Sequence, residues 1–220
     1  MIVIHEKESG KKGKVNMAPK KKQEKETPQM PLPEKIKLAF RRLLLSFIQY
    51  PDDLNLKIEV SGATIFISCQ VNRDDHPKLV GSKGTHIWAM QTLVRAIADK
   101  YREYNLKIEF RLLEPVVGEK KDLTKFQPNE KWNSKNVVET LREICSLTFA
   151  DPVEILVSER DTHYSTQIRI IASERERARL QGDLRQALHY LFHAIGKSQG
   201  RLIYIYEHNP DEKDASQIMA

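Results

Sequence analysis

Leu79-Val80-Gly81-Ser82-Lys83-Gly84-Thr85-His86-Ile87 is the stretch whose reading decides the fold. An alternating apolar segment over 64–71 precedes it. An amphipathic segment over 85–101 follows, with Ile87, Met90, Leu93, Val94 and Ile97 on one face. A short helix and a Gly-x-x-Gly turn are predicted between them. Glycine takes φ > 0 without steric cost and lets a ligand come close to the main chain. The helix that starts after the turn directs unpaired N–H groups and a positive dipole end at the same point. Lys83 sits inside the turn and no acid does. Such a turn suits a phosphodiester backbone and needs no catalytic group.

Working outward, Ile36, Phe40, Leu43, Leu44, Phe47 and Ile48 recur at helical spacing and predict a helix over 34–50. Pro33 stands where a helix start tolerates proline, and Pro51 is expected to end the run. Leu56, Ile58 and Val60 share one face of a strand over 56–60; Ile65, Ile67, Cys69 and Val71 share one face of the next. Ser61-Gly62-Ala63 between them reads as a tight hairpin turn. A last strand is predicted over 106–112. Trp88 lies one step off the apolar stripe of its helix and is expected to be half exposed.

This order, α-β-β-α-α-β with the glycine turn between its last two helices, resembles a type II KH domain. In size and motif placement it is similar to the small bacterial KhpA type, over 33–114. The resemblance implies a three-stranded sheet packed on helices and a loop that clamps about four nucleotides of a single strand. It assigns Gly81 and Gly84 to backbone approach, and Ser82 and Lys83 to the phosphates. Leu79, Val80 and Ile87 become an apolar floor for bases, with Ile67 and Cys69 as contributors from the facing strand. Thr85 is expected to cap the following helix and His86 to lie next to phosphate or sugar. The implied partners are single-stranded RNA, together with a second copy of the chain or another RNA-binding protein.

The second half repeats the order. A shift of 97 residues lays Phe40 through Val60 over Val137 through Val157, so that Leu44 meets Leu141, Phe47 meets Ile144, Ile58 meets Ile155 and Val60 meets Val157. A shift of 98 lays Ala89, Leu93, Ala96 and Ile97 over Ala187, Leu191, Ala194 and Ile195, and the strand over 202–206 matches 106–110 at a shift of 96. The length changes fall in loops, where they belong. The fold class expected is therefore α+β, with two tandem KH-like domains, 33–114 and 133–207. A Lys-rich tail over 1–32, a linker over 115–132 and a C-terminal tail over 208–220 complete the chain. In the second copy Arg179-Leu180-Gln181-Gly182 replaces the glycine loop, and the helix is expected to run through it. Arg175, Arg177, Arg179 and Arg185 alternate with Glu174, Glu176 and Asp183, which reads as a solvated helix face or as an auxiliary surface for RNA or a partner.

The net charge is +6, and residues 1–33 hold eight lysines against four glutamates, so most of the excess lies in the tail. That composition predicts disorder, with its lysines either adding attraction to nucleic acid or merely solvated. Phe126 and Trp132 are expected to pin the linker onto one domain. Cys69 and Cys145 fall at apolar-phase positions and read as free thiols of a reducing compartment. No apolar run approaches a membrane span and Met1 to Ile4 is too brief for a signal segment, so a cytoplasmic location is expected.

Enzymatic readings find little. His189 and His193 are one helical turn apart but lack a third ligand at local spacing. Gly81 to Thr85 lacks the spacing and the Gly-Lys-Ser/Thr ending of a P-loop. Asp74, Asp75 and His76 precede Pro77 and read as helix-start residues. The expectation is a non-catalytic protein that binds single-stranded RNA, with no cofactor and no metal. The alternative is a protein-interaction scaffold on the same fold.

Overall fold

The stripe Ile36, Ala39, Phe40, Leu43 and Leu44 winds into α1 (Leu32–Leu45), all five side chains buried, in a computed structural model that describes residues 30–116, 134–158 and 165–207. The 1–29 tail, the linker with Phe126 and Trp132, and the tail after 207 lie outside the described residues. Two strands follow, β1 (Asn55–Ser61) and β2 (Thr64–Gln70), joined antiparallel through a two-residue turn at Gly62. Next come α2 (His76–Val80), α3 (Thr85–Lys100) and β3 (Lys107–Leu112), which pairs parallel with β2. The sheet order is β1-β2-β3.

The second half gives the same succession: α4 (Ser134–Thr148), β4 (Glu154–Ser158), β5 (Ser165–Ile171), α5 (Glu174–Leu180), α6 (Asp183–Ser198) and β6 (Leu202–Glu207). Its sheet order is β4-β5-β6, again with one antiparallel and one parallel pairing. The architecture is α+β with two small three-stranded sheets, and no helix among the described residues is long and apolar enough to cross a membrane.

Helix α1 stops at Leu45, earlier than the proline signal suggested. Ser46 folds its hydroxyl back to donate to the Arg42 carbonyl at 3.0 Å. Just beyond, the fully buried Asp75 carboxylate accepts from the N–H groups of Gln49 and Tyr50 at 2.9 Å. These amides are satisfied by a side chain distant in sequence, so the chain turns while Phe47 and Ile48 remain in the core. Val60, placed on the inner face of β1 by alternation, is 60% exposed because it sits at the hairpin end of an edge strand, past the cover of α1.

The second half carries an equivalent clamp. The fully buried carboxylate of Glu176 accepts from the N–H groups of Ala150 and Asp151 at 3.0 and 3.3 Å. Asp75, Gln49 and Tyr50 therefore correspond to residues 101 positions later, and the shift of 97 is wrong for the first helix by one helical turn. At 101, Ile36, Phe40, Leu43, Leu44 and Ile48 fall on Val137, Leu141, Ile144, Cys145 and Phe149, all buried. Pairing sets the strands in the same way. Ile155 opposes Ile170 as Leu56 opposes Cys69, so Ile155 answers to Leu56 and the shift of 97 misplaced it by one alternation. Both errors leave the apolar phase intact, which is why periodicity missed them. The last strand is displaced by a single residue from that match: buried Ile203 and Ile205, not Tyr204 and Tyr206, answer to buried Ile108 and Phe110. The shift of 98 agrees with the ends of α3 and α6.

The long helices meet between the two sheets. α3 packs along α6, and α1 and α3 pack on α4. The buried side chains of both halves form one continuous core. Reciprocal contacts close the seam: Lys100 at the end of α3 donates to the Ser146 carbonyl, and Ser198 at the end of α6 donates to the Ser46 carbonyl at 3.2 Å. Arg42 on α1 pairs with Glu139 and Glu143 on α4 at 3.3 and 3.0 Å. Trp88 is partly buried as expected, but against the other half: its ring meets Tyr190 edge-on at 6.1 Å. Cys69 and Cys145 are free and buried, and burial pushes both thiols up to about 12.

Candidate nucleic-acid interface

The turn after α2 is built by backbone conformation. Gly81 ends α2 at φ +75° and donates its N–H to the Pro77 carbonyl at 2.9 Å. Lys83 (φ +53°) and Gly84 (φ +78°) are both left-handed, and Gly84 N–H closes the turn on the Gly81 carbonyl. A non-glycine residue in that region is strained by roughly 1–2 kcal/mol. The strain in Lys83 therefore has to be held in place by the turn around it. The result is that Ser82 and Lys83 are exposed to solvent.

The two glycines serve different ends. A Cβ on Gly81 would lie 2.5 Å from the His86 ring, so this glycine is needed for close packing as well as for its φ. A Cβ on Gly84 would meet nothing within 4 Å; that glycine is needed for its conformation alone. Because the N-cap position of α3 is Gly84, no side chain caps the first turn of the helix. Thr85 is already helical (φ −61°, ψ −38°) and is not the cap that the sequence suggested.

His86 is also corrected. Its Nδ1 lies 2.7 Å from the Lys78 carbonyl, and its ring packs against Phe47 with centroids 5.6 Å apart. A carbonyl only accepts, so Nδ1 carries a proton and spends it on this bond. His86 buttresses the loop from beneath. The proposed apolar floor shrinks for a similar reason. Leu79, Ile67 and Cys69 are wholly inaccessible and belong to the core; Val80 and Ile87 keep part of their surface exposed.

The nearby acid, Asp75, is spent on the two backbone amides after α1 and on Lys78 at 2.7 Å. Asp75 was read as a helix-start residue, and its bonds to a distant turn had no signal in the local sequence. Asn72 organises the start of α2, taking the N–H groups of Asp75 and His76 on its carbonyl and that of Asp74 on its side chain.

The second half keeps the frame of this turn but not its grip. Buried Leu180 closes α5 as buried Leu79 closes α2, and Gly182 (φ +87°) precedes α6 as Gly84 precedes α3. Between them lies Gln181 alone, in place of Val80, Gly81, Ser82 and Lys83. The helix does not run through, contrary to the sequence reading, because Gln181 is extended (ψ 139°). Glu176 and Arg179, read as members of a solvated face, are instead partners at 3.4 Å, with Glu176 buried and Arg179 also donating to the Ala96 carbonyl across the seam.

No protein-family model matches the chain, and no curated protein matches it either.

His189 and His193 stack at 5.7 Å on α6. Among the described residues no group of three His, Cys, Asp or Glu is placed to hold a metal ion. Burial lowers the pKa of His189, helped by His193 and Arg185.

Proposed function

We propose that the chain is a non-catalytic RNA-binding protein whose first half is a type II KH domain of the small bacterial KhpA type, and whose second half is a KH-like domain without the glycine loop. The first domain grips single-stranded RNA at Gly81 to Gly84. The observation that carries the proposal is the conformation of that turn. Three positive-φ residues present Ser82 and Lys83 to solvent at the uncapped N-terminus of a 16-residue helix. Free N–H groups, a dipole end and an unpaired ammonium converge there, and together they favour an anion. Val80 and Ile87 give bases beside the phosphates an apolar edge to rest on.

The scaffold alternative has less room. The faces of α3 and α6 that would dock a partner are packed on each other, and Trp88 is engaged by Tyr190. A second copy of the chain is left with the outer sheet surfaces, and the second half occupies the place a helical partner would take.

Ser82→Asp with Lys83→Asp tests the proposal. Both side chains are exposed, so the melting temperature should stay within a degree or two. Affinity for single-stranded RNA at fixed salt should fall at least tenfold, since two carboxylates replace one ammonium where phosphate must approach. Wild-type affinity in this folded variant, or equal affinity for duplex and single strand in the parent, would overturn the assignment.

A further inference from the structure

We infer that the second half reads one nucleobase of the bound strand, adenine or cytosine, in a groove between α5, the first turn of α6 and the end of β6. The inference rests on the RNA-binding proposal and adds a second, chemically different subsite to it. The groove is shallow and open, offers about 530 Å³, and is lined by Glu174, Arg177, Gln181, Arg185, Tyr206 and Glu207. That volume lies within the roughly 300–1,000 Å³ usual for small-ligand sites. Gln181, the single residue left where the first half has its loop, forms part of the wall.

The lining matches a base better than a phosphate chain. Two arginines face two glutamates, so the groove offers no net charge for bulk attraction. What it offers is a plane and a hydrogen-bonding edge. Tyr206 is 39% exposed and its ring is backed by Tyr204 at 6.3 Å and 28°, a pre-set stacking surface. The first sheet has no such surface: its outward ring, Phe66, is covered by the Arg111 guanidinium at 4.2 Å. The Gln181 amide can both donate to and accept from one base edge, the pattern that matches adenine. The Glu207 carboxylate accepts only, which suits the amine of adenine or cytosine and disfavours the carbonyls of uracil. Arg185, exposed at the start of α6, stands ready for the phosphate that accompanies the base. Contacts to phosphate carry no sequence information and the apolar edge of Val80 and Ile87 offers no hydrogen bonds, so this groove adds a hydrogen-bonding readout that the loop lacks.

The test uses the full chain and titrates it with AMP, CMP, UMP and inorganic phosphate while following its backbone and tyrosine-ring NMR signals. AMP or CMP should move the signals of Tyr206, Gln181 and Arg185 at concentrations at least fivefold lower than UMP. Inorganic phosphate should not reproduce the pattern. Tyr206→Phe should retain the response and Tyr206→Ala should lose it. Tyr206→Ala should also level the preference of the protein for oligo(A) or oligo(C) over oligo(U). Ser82→Asp with Lys83→Asp should leave the mononucleotide response intact, which separates this site from the loop. Silence at these residues with every mononucleotide, an equal response to UMP, or the same response to phosphate alone would each overturn the groove while leaving the loop assignment standing. Conversely, a selective response at the groove in a protein whose RNA affinity ignores the loop variant would remove the loop assignment and keep the groove.

Discussion

The turns that precede α3 and α6 each start from a buried leucine and end on a positive-φ glycine, Leu79 to Gly84 in one half and Leu180 to Gly182 in the other. Three fewer residues separate the ends in the second half. What the comparison teaches is that the frame and the grip are independent. The frame is set by a leucine in the core and a helix that must begin again at an angle. The grip is set by Ser82 and Lys83, whose side chains are exposed, and a turn without them still joins the same two helices in the second half. The carboxylate clamps make the same point from the other side. Asp75 and Glu176 differ in length yet each satisfies two amides at the same place, so the clamp belongs to the frame.

The largest effect is expected from the shared core. Phe192 is fully buried in α6, and Phe192→Ala should destabilise the protein by about 3–5 kcal/mol. Because the core runs through both halves, amide signals of β2 and β5 should lose their dispersion at one common denaturant midpoint, lowered together. Two midpoints, with β2 unmoved, would break the picture of one cooperative body and leave two independent ones.

The clamps come next. Asp75→Ala and Glu176→Ala each strand two backbone amides, with the Tyr50 bond buried and the other three part-buried, at a cost of about 2–4 kcal/mol. Chemical denaturation of both variants should give losses within about 1 kcal/mol of each other. A neutral result at either position would show that water satisfies those amides and that the two turns are not equivalent.

The glycines give the smallest and most discriminating difference. Gly81→Ala meets both an unfavourable φ and the His86 ring at 2.5 Å, whereas Gly182→Ala meets the φ alone. Costs of about 2 and about 1 kcal/mol respectively are expected from these terms. Equal melting temperatures for the two variants would mean that His86 swings aside freely, and its role as a buttress would fall.

Much of this was written in the chain. The stripe of α1, the alternation of β2 and the glycine spacing each depend on neighbours a few residues apart, so periodicity alone found the elements, their order and the turn with Ser82 and Lys83 at its tip. The repeat was legible too, though only up to its own period. A shift by one helical turn or one strand alternation preserves the apolar phase, and only the clamp of Glu176 on Ala150 and the pairing of Ile155 with Ile170 chose among the alternatives. Tertiary structure alone decided that Leu79, Ile67 and Cys69 are core and that His86 supports the loop from below. It alone placed Trp88 against Tyr190, and set Tyr206, Gln181 and Arg185 around one groove. Those outcomes depend on which surfaces distant segments cover. The covering of α3 by α6 is a property of the packed chain that no local window contains.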